Sequence, residues 1–151
     1  MPSPEILNKR ILLPLLASIV AITPLAIDLY LPAMLVIAND LQTTMPNVQI
    51  SLSIYLAGYA LGMLFFGPIA DELGRRLLAK VGLSLFGISS LALAFCQNIE
   101  LFWSLRAIQA FTGAAATVVV PGIIRHIYRE NTAKGMSYVS MIMMVAPLIA
   151  P

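Results

Sequence analysis

The chain has 151 residues, 60% of them hydrophobic and 11% charged, with a mean hydropathy of +0.91. A soluble domain carries roughly 25% charged residues, and one of this length could not hide so much apolar surface, so the bilayer is its natural solvent. A net charge of +2 without a basic tract argues against a nucleic-acid partner, and a single cysteine, Cys96, rules out an intrachain disulfide and a Cys/His metal cluster.

Residues 1–10 form a short polar lead with Pro2 and Pro4. Lys9-Arg10 before an apolar run imitates a secretory signal. The run 11–27 exceeds the usual roughly 7–15 residues, however, and no small-x-small cleavage site follows. It is read as a retained first span, about 11–35, kinked by Pro14, Pro24 and Pro32 and holding Asp28. A polar connection, 39–47, leads to a second span, about 48–70, in which Gly58-x-x-x-Gly62 permits close approach of another helix. Next comes a charged hairpin, Gly67-Pro68-Ile69-Ala70-Asp71-Glu72-Leu73-Gly74-Arg75-Arg76, and then a third span, about 77–96, with Lys80 snorkelling back to the surface.

A turn at 97–100 is short enough to make the third and fourth spans antiparallel neighbours. The fourth, about 101–124, contains Arg106, Gln109 and the small-residue run Gly113-Ala114-Ala115-Ala116. Residues 125–135 read as a polar loop. A fifth span opens near Met136; at about 1.5 Å per residue it reaches roughly 24 Å by Pro151, short of a ~30 Å hydrocarbon core. The chain is therefore expected to stop inside a membrane helix, as an N-terminal fragment would.

Charge placement orients this zigzag. Lys9, Arg10, Arg75, Arg76, Lys80, Arg125, Arg129 and Lys134 fall on one side, while the opposite loops hold Asp40 and Glu100 and no base. The positive-inside rule makes the basic side, with the N-terminus, cytoplasmic. Trp103 and Tyr30 suit the outer interface as anchors.

Arg106 is the one base within a span, and Asp28 is its acidic counterpart. Charges at membrane depth cost about 2.5–3.5 kcal/mol each and normally face a partner or a wet cavity. Counted from the outer surface, both lie about 8–10 Å deep. They are expected to face one aqueous cavity and to be coupled, directly or through water. The plainer alternative stays open: Asp28 ends a shortened first span and Arg106 snorkels outward. At the hairpin, Asp71 is expected to stabilise a helix N-terminus, and Arg75 to pair with a carboxylate or a helix C-terminus, latching an inner gate. A basic cytoplasmic turn without such a role is the alternative there.

The pattern G-x-x-A-D-x-x-G-R-R at 67–76 resembles the signature hairpin of the major facilitator superfamily of secondary transporters. Leu105-Arg106-Ala107-Ile108-Gln109-Ala110-Phe111-Thr112-Gly113 is similar to its R-x-x-Q-x-x-x-G signature. Ile27-Asp28-Leu29-Tyr30-Leu31-Pro32-Ala33 resembles the D-x-Y-L-P-A stretch of drug:proton antiporters, in particular the bicyclomycin-resistance and chloramphenicol-efflux branch. Residues 146–151, with Pro147 and Pro151, resemble the start of that branch's span-five signature. One departure is Ala110-Phe111, where many relatives place a glycine, which puts local packing there in question.

The resemblance implies an all-α membrane protein: part of the N-terminal six-helix half of a transporter that exports hydrophobic drugs in exchange for protons by alternating access. It assigns Asp28, Arg106 and Gln109 to proton coupling and substrate. Gly67, Asp71, Gly74, Arg75 and Arg76 fall to the cytoplasmic gate, and Gly58, Gly62 and Gly113 to helix packing. The expected partners are hydrophobic drugs, protons and lipid, with a monomer at full length, no cofactor beyond the proton gradient and no metal. A bacterial inner membrane is the expected location. No catalytic motif points to an enzyme. A transporter for a dedicated metabolite, and a non-transporting scaffold or inactive truncated product, remain the rival expectations.

Overall fold

A computed structural model describes residues 4–149, with side chains for residues 12–144 apart from residue 129; Pro151 and the Pro147 side chain lie outside what is described. Six α-helices follow one another: α1 (Pro4–Asp28), α2 (Tyr30–Asp40), α3 (Met45–Glu72), α4 (Arg75–Ala94), α5 (Ile99–Tyr128) and α6 (Thr132–Ile149). Among the described residues, α3, α4 and α5 are each long and apolar enough to cross a membrane. Residues 12–28 and α2 together make a fourth such span, bent by 49°.

The bend has a local cause. Pro32 has no N–H to offer the Asp28 carbonyl, and its ring crowds that carbonyl from one turn on. Helix α1 therefore stops at Asp28, and α2 restarts at Tyr30. The kink expected of the first span thus sits at its acidic residue.

Two stretches read as polar connections are helical. The lead from Pro4 onward belongs to α1, and α5 continues through Arg125 and His126 to Tyr128. One 3₁₀ turn, Arg129–Asn131, then hands the chain to α6. Polarity marks where an apolar stretch leaves the membrane, but Arg, His and Tyr do not by themselves end a helix. The α3–α4 turn does need its glycine: Gly74 has φ +88°, a left-handed value that side chains with a Cβ rarely adopt. Gly67, by contrast, lies inside α3 with open space around it.

Helix α5 is the spine. Of its most apolar 18-residue window 61% is buried, against 17% for α3 and for α4, so α5 is the helix the others pack around. Small residues let them close on it. A Cβ on Gly58 would stand 2.9 Å from the Ala107 carbonyl oxygen, and one on Gly62 2.7 Å from the Ala114 methyl. From α4, Gly82 approaches α5 as closely, 2.9 Å from the Thr112 oxygen and the Ala116 nitrogen. Gly113 makes room for the Phe86 ring.

The departure at Ala110-Phe111 is accommodated: Ala110 is wholly buried opposite Gly58, and the Phe111 ring packs on Phe65 and Phe66. Two apolar clusters tie the ends of the bundle. One joins Leu16 and Ala17 to Ala70, Leu78, Val120, Ile124 and Val139; the other joins Tyr30, Met34 and Ala38 to Val48 and Phe102.

A matched pair of substitutions on α4 tests this packing. Gly82→Leu drives a side chain into the α5 backbone and should cost about 1–3 kcal/mol or more. Gly87→Leu enters open space and should be neutral. Thermal inactivation of the detergent-solubilised intact protein reads both; equal melting points would contradict the packing.

Candidate functional site

Arg106 sits two turns into α5 and is only 7% exposed. Its guanidinium carbon lies 3.9 Å from the centroid of the Tyr30 ring, with the Tyr55 and Phe102 rings at 5.4 and 5.7 Å. Nη1 donates to Gln109 Oε1 at 3.2 Å, one turn further along the same face. Gln109 Nε2 donates in turn to Ser90 Oγ on α4 at 2.7 Å, and Ser90 donates to the Phe86 carbonyl. The Tyr30 ring is itself held, because its hydroxyl donates to the Val48 carbonyl at 2.8 Å and touches the Ser51 hydroxyl.

An aromatic box thus receives the cation without a carboxylate. A desolvated cation–π contact is worth about 2 kcal/mol or more, comparable to the roughly 2.5–3.5 kcal/mol that a membrane-embedded arginine costs. Tyr30 and Trp103 do more than anchor at an interface. Tyr30 carries the guanidinium, and Trp103 Nε1 donates to the Asn47 carbonyl at 2.9 Å, fastening α5 to the start of α3.

Asp28, at the end of α1, makes no direct ion pair with Arg106; among the described residues the one ion pair is Asp71–Arg75. Asp28 instead lines a mostly apolar cavity of about 340 Å³ with Val20, Thr23, Pro24, Ile27, Leu56, Tyr59 and Met143. The two sites are nevertheless adjacent in the chain, since Tyr30 follows Asp28 by two residues. Three buried polar atoms nearby complete no hydrogen bond: Thr23 Oγ1, Tyr55 Oη and Arg106 Nε.

The opposite end of the bundle holds the hairpin. Asp71 lies in the last turn of α3 and does not cap α4, a correction to its expected place at a helix N-terminus. Arg75 Nη2 donates to Asp71 Oδ1 at 2.8 Å, while Nη1 donates to the Gly122 carbonyl on α5 at 2.7 Å. With Asp71 71% exposed, the ion pair is screened and worth little. The bond to the Gly122 carbonyl is what joins hairpin to spine. A Cβ on Gly122 would come within 2.7 Å of the Arg75 guanidinium carbon, so this glycine clears the arginine's berth. Arg76, Lys80 and His126 line a separate, larger cavity of about 960 Å³ between α1, α4 and α5.

Sequence reasoning missed Tyr55, Thr23, Ser90, Gly82 and Gly122. Each is an ordinary residue in an apolar helix until the facing helix is known. No group of three or more His, Cys, Asp or Glu side chains that could hold a metal occurs among the described residues.

Comparison with known proteins agrees with this architecture. Residues 16–151 match the Major Facilitator Superfamily. The chain is 35% identical over 129 residues to a bicyclomycin resistance protein homolog of Haemophilus influenzae, covering 85% of this chain and 32% of that protein. It is 36% identical to the multidrug resistance protein MdtL of Vibrio parahaemolyticus (89% and 34% covered) and 35% identical to a chloramphenicol resistance protein of Pseudomonas aeruginosa (83% and 31%). The chain spans about a third of the length of these relatives. No solved structure matches it. With its helices, its apolar surface and this match along most of its length, the chain is an integral membrane protein that belongs to the major facilitator superfamily of transporters.

Proposed function

We propose that the intact protein exports hydrophobic drugs from the bacterial cytoplasm in exchange for protons, by alternating access across the inner membrane. The observation that carries this reading is the buried Arg106–Gln109–Ser90 network, stacked on Tyr30 and next along the chain to the Asp28-lined cavity. A fixed positive charge beside a titratable carboxylate is the minimal apparatus for trading a proton against a ligand. Deprotonated Asp28 offers a charge and acceptor oxygens to a drug in an apolar cavity; protonated Asp28 withdraws them. The names of the relatives, which concern bicyclomycin, chloramphenicol and multiple drugs, support hydrophobic compounds as the cargo.

Orientation follows from the bases. Arg75, Arg76, Lys80, Arg125 and Lys134, together with Lys9 and Arg10, are placed at the cytoplasmic face by the positive-inside rule. Arg75 then latches the inner gate, holding the α3–α4 turn on α5 through the Gly122 carbonyl. Releasing that bond is the step that lets the inner side open.

Asp28→Asn should abolish proton-driven transport with expression intact. Accumulation of a fluorescent lipophilic dye, with and without an uncoupler, measures this; unchanged efflux across pH in the variant would contradict the proposal. At the gate, Arg75→Gln loses a charged hydrogen bond worth about 1.5–3 kcal/mol in the inner-closed state, which should lower that state's population about tenfold or more and slow efflux with it. Asp71→Asn should have the smaller effect, because its pair is exposed. Equal rates for Arg75→Gln and the parent protein would remove the latch.

A further inference from the structure

The three buried polar atoms left without partners do not lie in unrelated places. Thr23 stands on α1 and lines the Asp28 cavity; Tyr55 stands on α3 and points its ring at Arg106; Arg106 Nε belongs to the guanidinium itself. Thr23 and Tyr55 interact side chain to side chain, yet neither oxygen completes a well-formed hydrogen bond. Leaving each such group unpaired costs about 1–3 kcal/mol. Buried polar groups of this kind, with a cation on one side and Thr23 and Asp28 as polar groups in the wall of an otherwise apolar cavity on the other, are what an ordered water with two to four polar partners satisfies.

We infer that Thr23 and Tyr55 are positioning residues that bridge Asp28 to Arg106, with water completing the hydrogen bonds between Thr23 Oγ1, Tyr55 Oη and Arg106 Nε. The inference rests on the proton-exchange reading above and says how its two charged groups sense one another without touching. The bridge lets a proton arriving at Asp28 be felt at Arg106, and through Gln109 at Ser90 on α4. The ionisable groups around it are few. Helix α1 supplies Asp28, α2 Tyr30, α3 Tyr55 and Tyr59, and α5 Arg106; α4 contributes the uncharged Ser90 and α6 the apolar Met143.

The test uses the intact protein in proteoliposomes and dicyclohexylcarbodiimide, a hydrophobic reagent that modifies protonated carboxyls. Mass spectrometry of the peptide carrying Asp28 gives the extent of labelling against pH. Removing the positive charge with Arg106→Gln should extend labelling to higher pH, moving the midpoint up. Tyr55→Phe keeps the ring and loses only the hydroxyl; Thr23→Val keeps the shape. Each should move the midpoint the same way, and adding Arg106→Gln to either should then shift it little further. Thr23→Ser should restore the parent behaviour.

Unmoved midpoints in Tyr55→Phe and Thr23→Val, or a full additional shift from Arg106→Gln in their presence, would overturn the bridge. An Arg106→Gln protein that labels like the parent would do the same. The outcome separates from that of the transport reading. Normal efflux by Asp28→Asn alongside non-additive labelling shifts defeats proton exchange and leaves the bridge standing. Lost efflux alongside additive shifts does the reverse.

Discussion

A guanidinium buried in the membrane with no carboxylate against it is the constraint around which this bundle is arranged. Arg106 cannot be deprotonated at ordinary pH, so its charge must be matched by what surrounds it. The match is built from three rings and an amide: Tyr30, Tyr55 and Phe102 around the cation, Gln109 accepting from it. Tyr30 comes from α2 and Tyr55 from α3, while Phe102 shares α5 with the arginine, so α2 and α3 pack where their rings meet the cation. The bend between α1 and α2 belongs to the same arrangement, because it carries the chain from Asp28 to Tyr30 within two residues.

Around this centre the packing is of two kinds. Glycines and alanines bring the α3 and α4 backbones against α5 at distances that leave no room for a side chain. In lipid, where apolar side chains gain little from leaving their surroundings, such close contact and shared polar bonds are what hold helices together. Besides the Gln109–Ser90 bond between α5 and α4, polar bonds fasten both ends of the bundle. Trp103 to the Asn47 carbonyl and Tyr30 to the Val48 carbonyl fasten one end; Arg75 to the Gly122 carbonyl fastens the other. All three side chains donate to backbone carbonyls, so the connection depends on backbone position more than on a partner's side chain.

Much of this was legible in the residues. Four long apolar stretches, the one-sided distribution of bases and the two ionisable groups at membrane depth follow from hydropathy and charge alone. The kink near Pro32 follows from proline's missing N–H. What could not be read were relations set by helix rotation. Tyr30 has the composition of an interfacial anchor, and only the facing surface of α5 makes it the seat of a cation. Gly82 and Gly122 look no different from Gly87, yet the first two are pressed by neighbours and Gly87 faces open space. The helical stretch through residues 125–128 reads as a loop in the sequence because polarity marks the end of a span, not the end of a helix. Asp71 reads as a group at a helix N-terminus for a related reason, since α3 continues through it to Glu72.

The account stands on Asp28 and Arg106 acting as one exchange unit, whose state changes when a ligand enters the apolar cavity. Proton release on ligand addition measures that directly. Purified intact protein in weakly buffered detergent is mixed with tetraphenylphosphonium, a lipophilic cation, and a pH-sensitive dye follows the proton count. The account predicts proton release that approaches, and does not exceed, one per bound cation, and none from Asp28→Asn. Binding without release in the parent protein at every pH, or release that survives in Asp28→Asn, would contradict it.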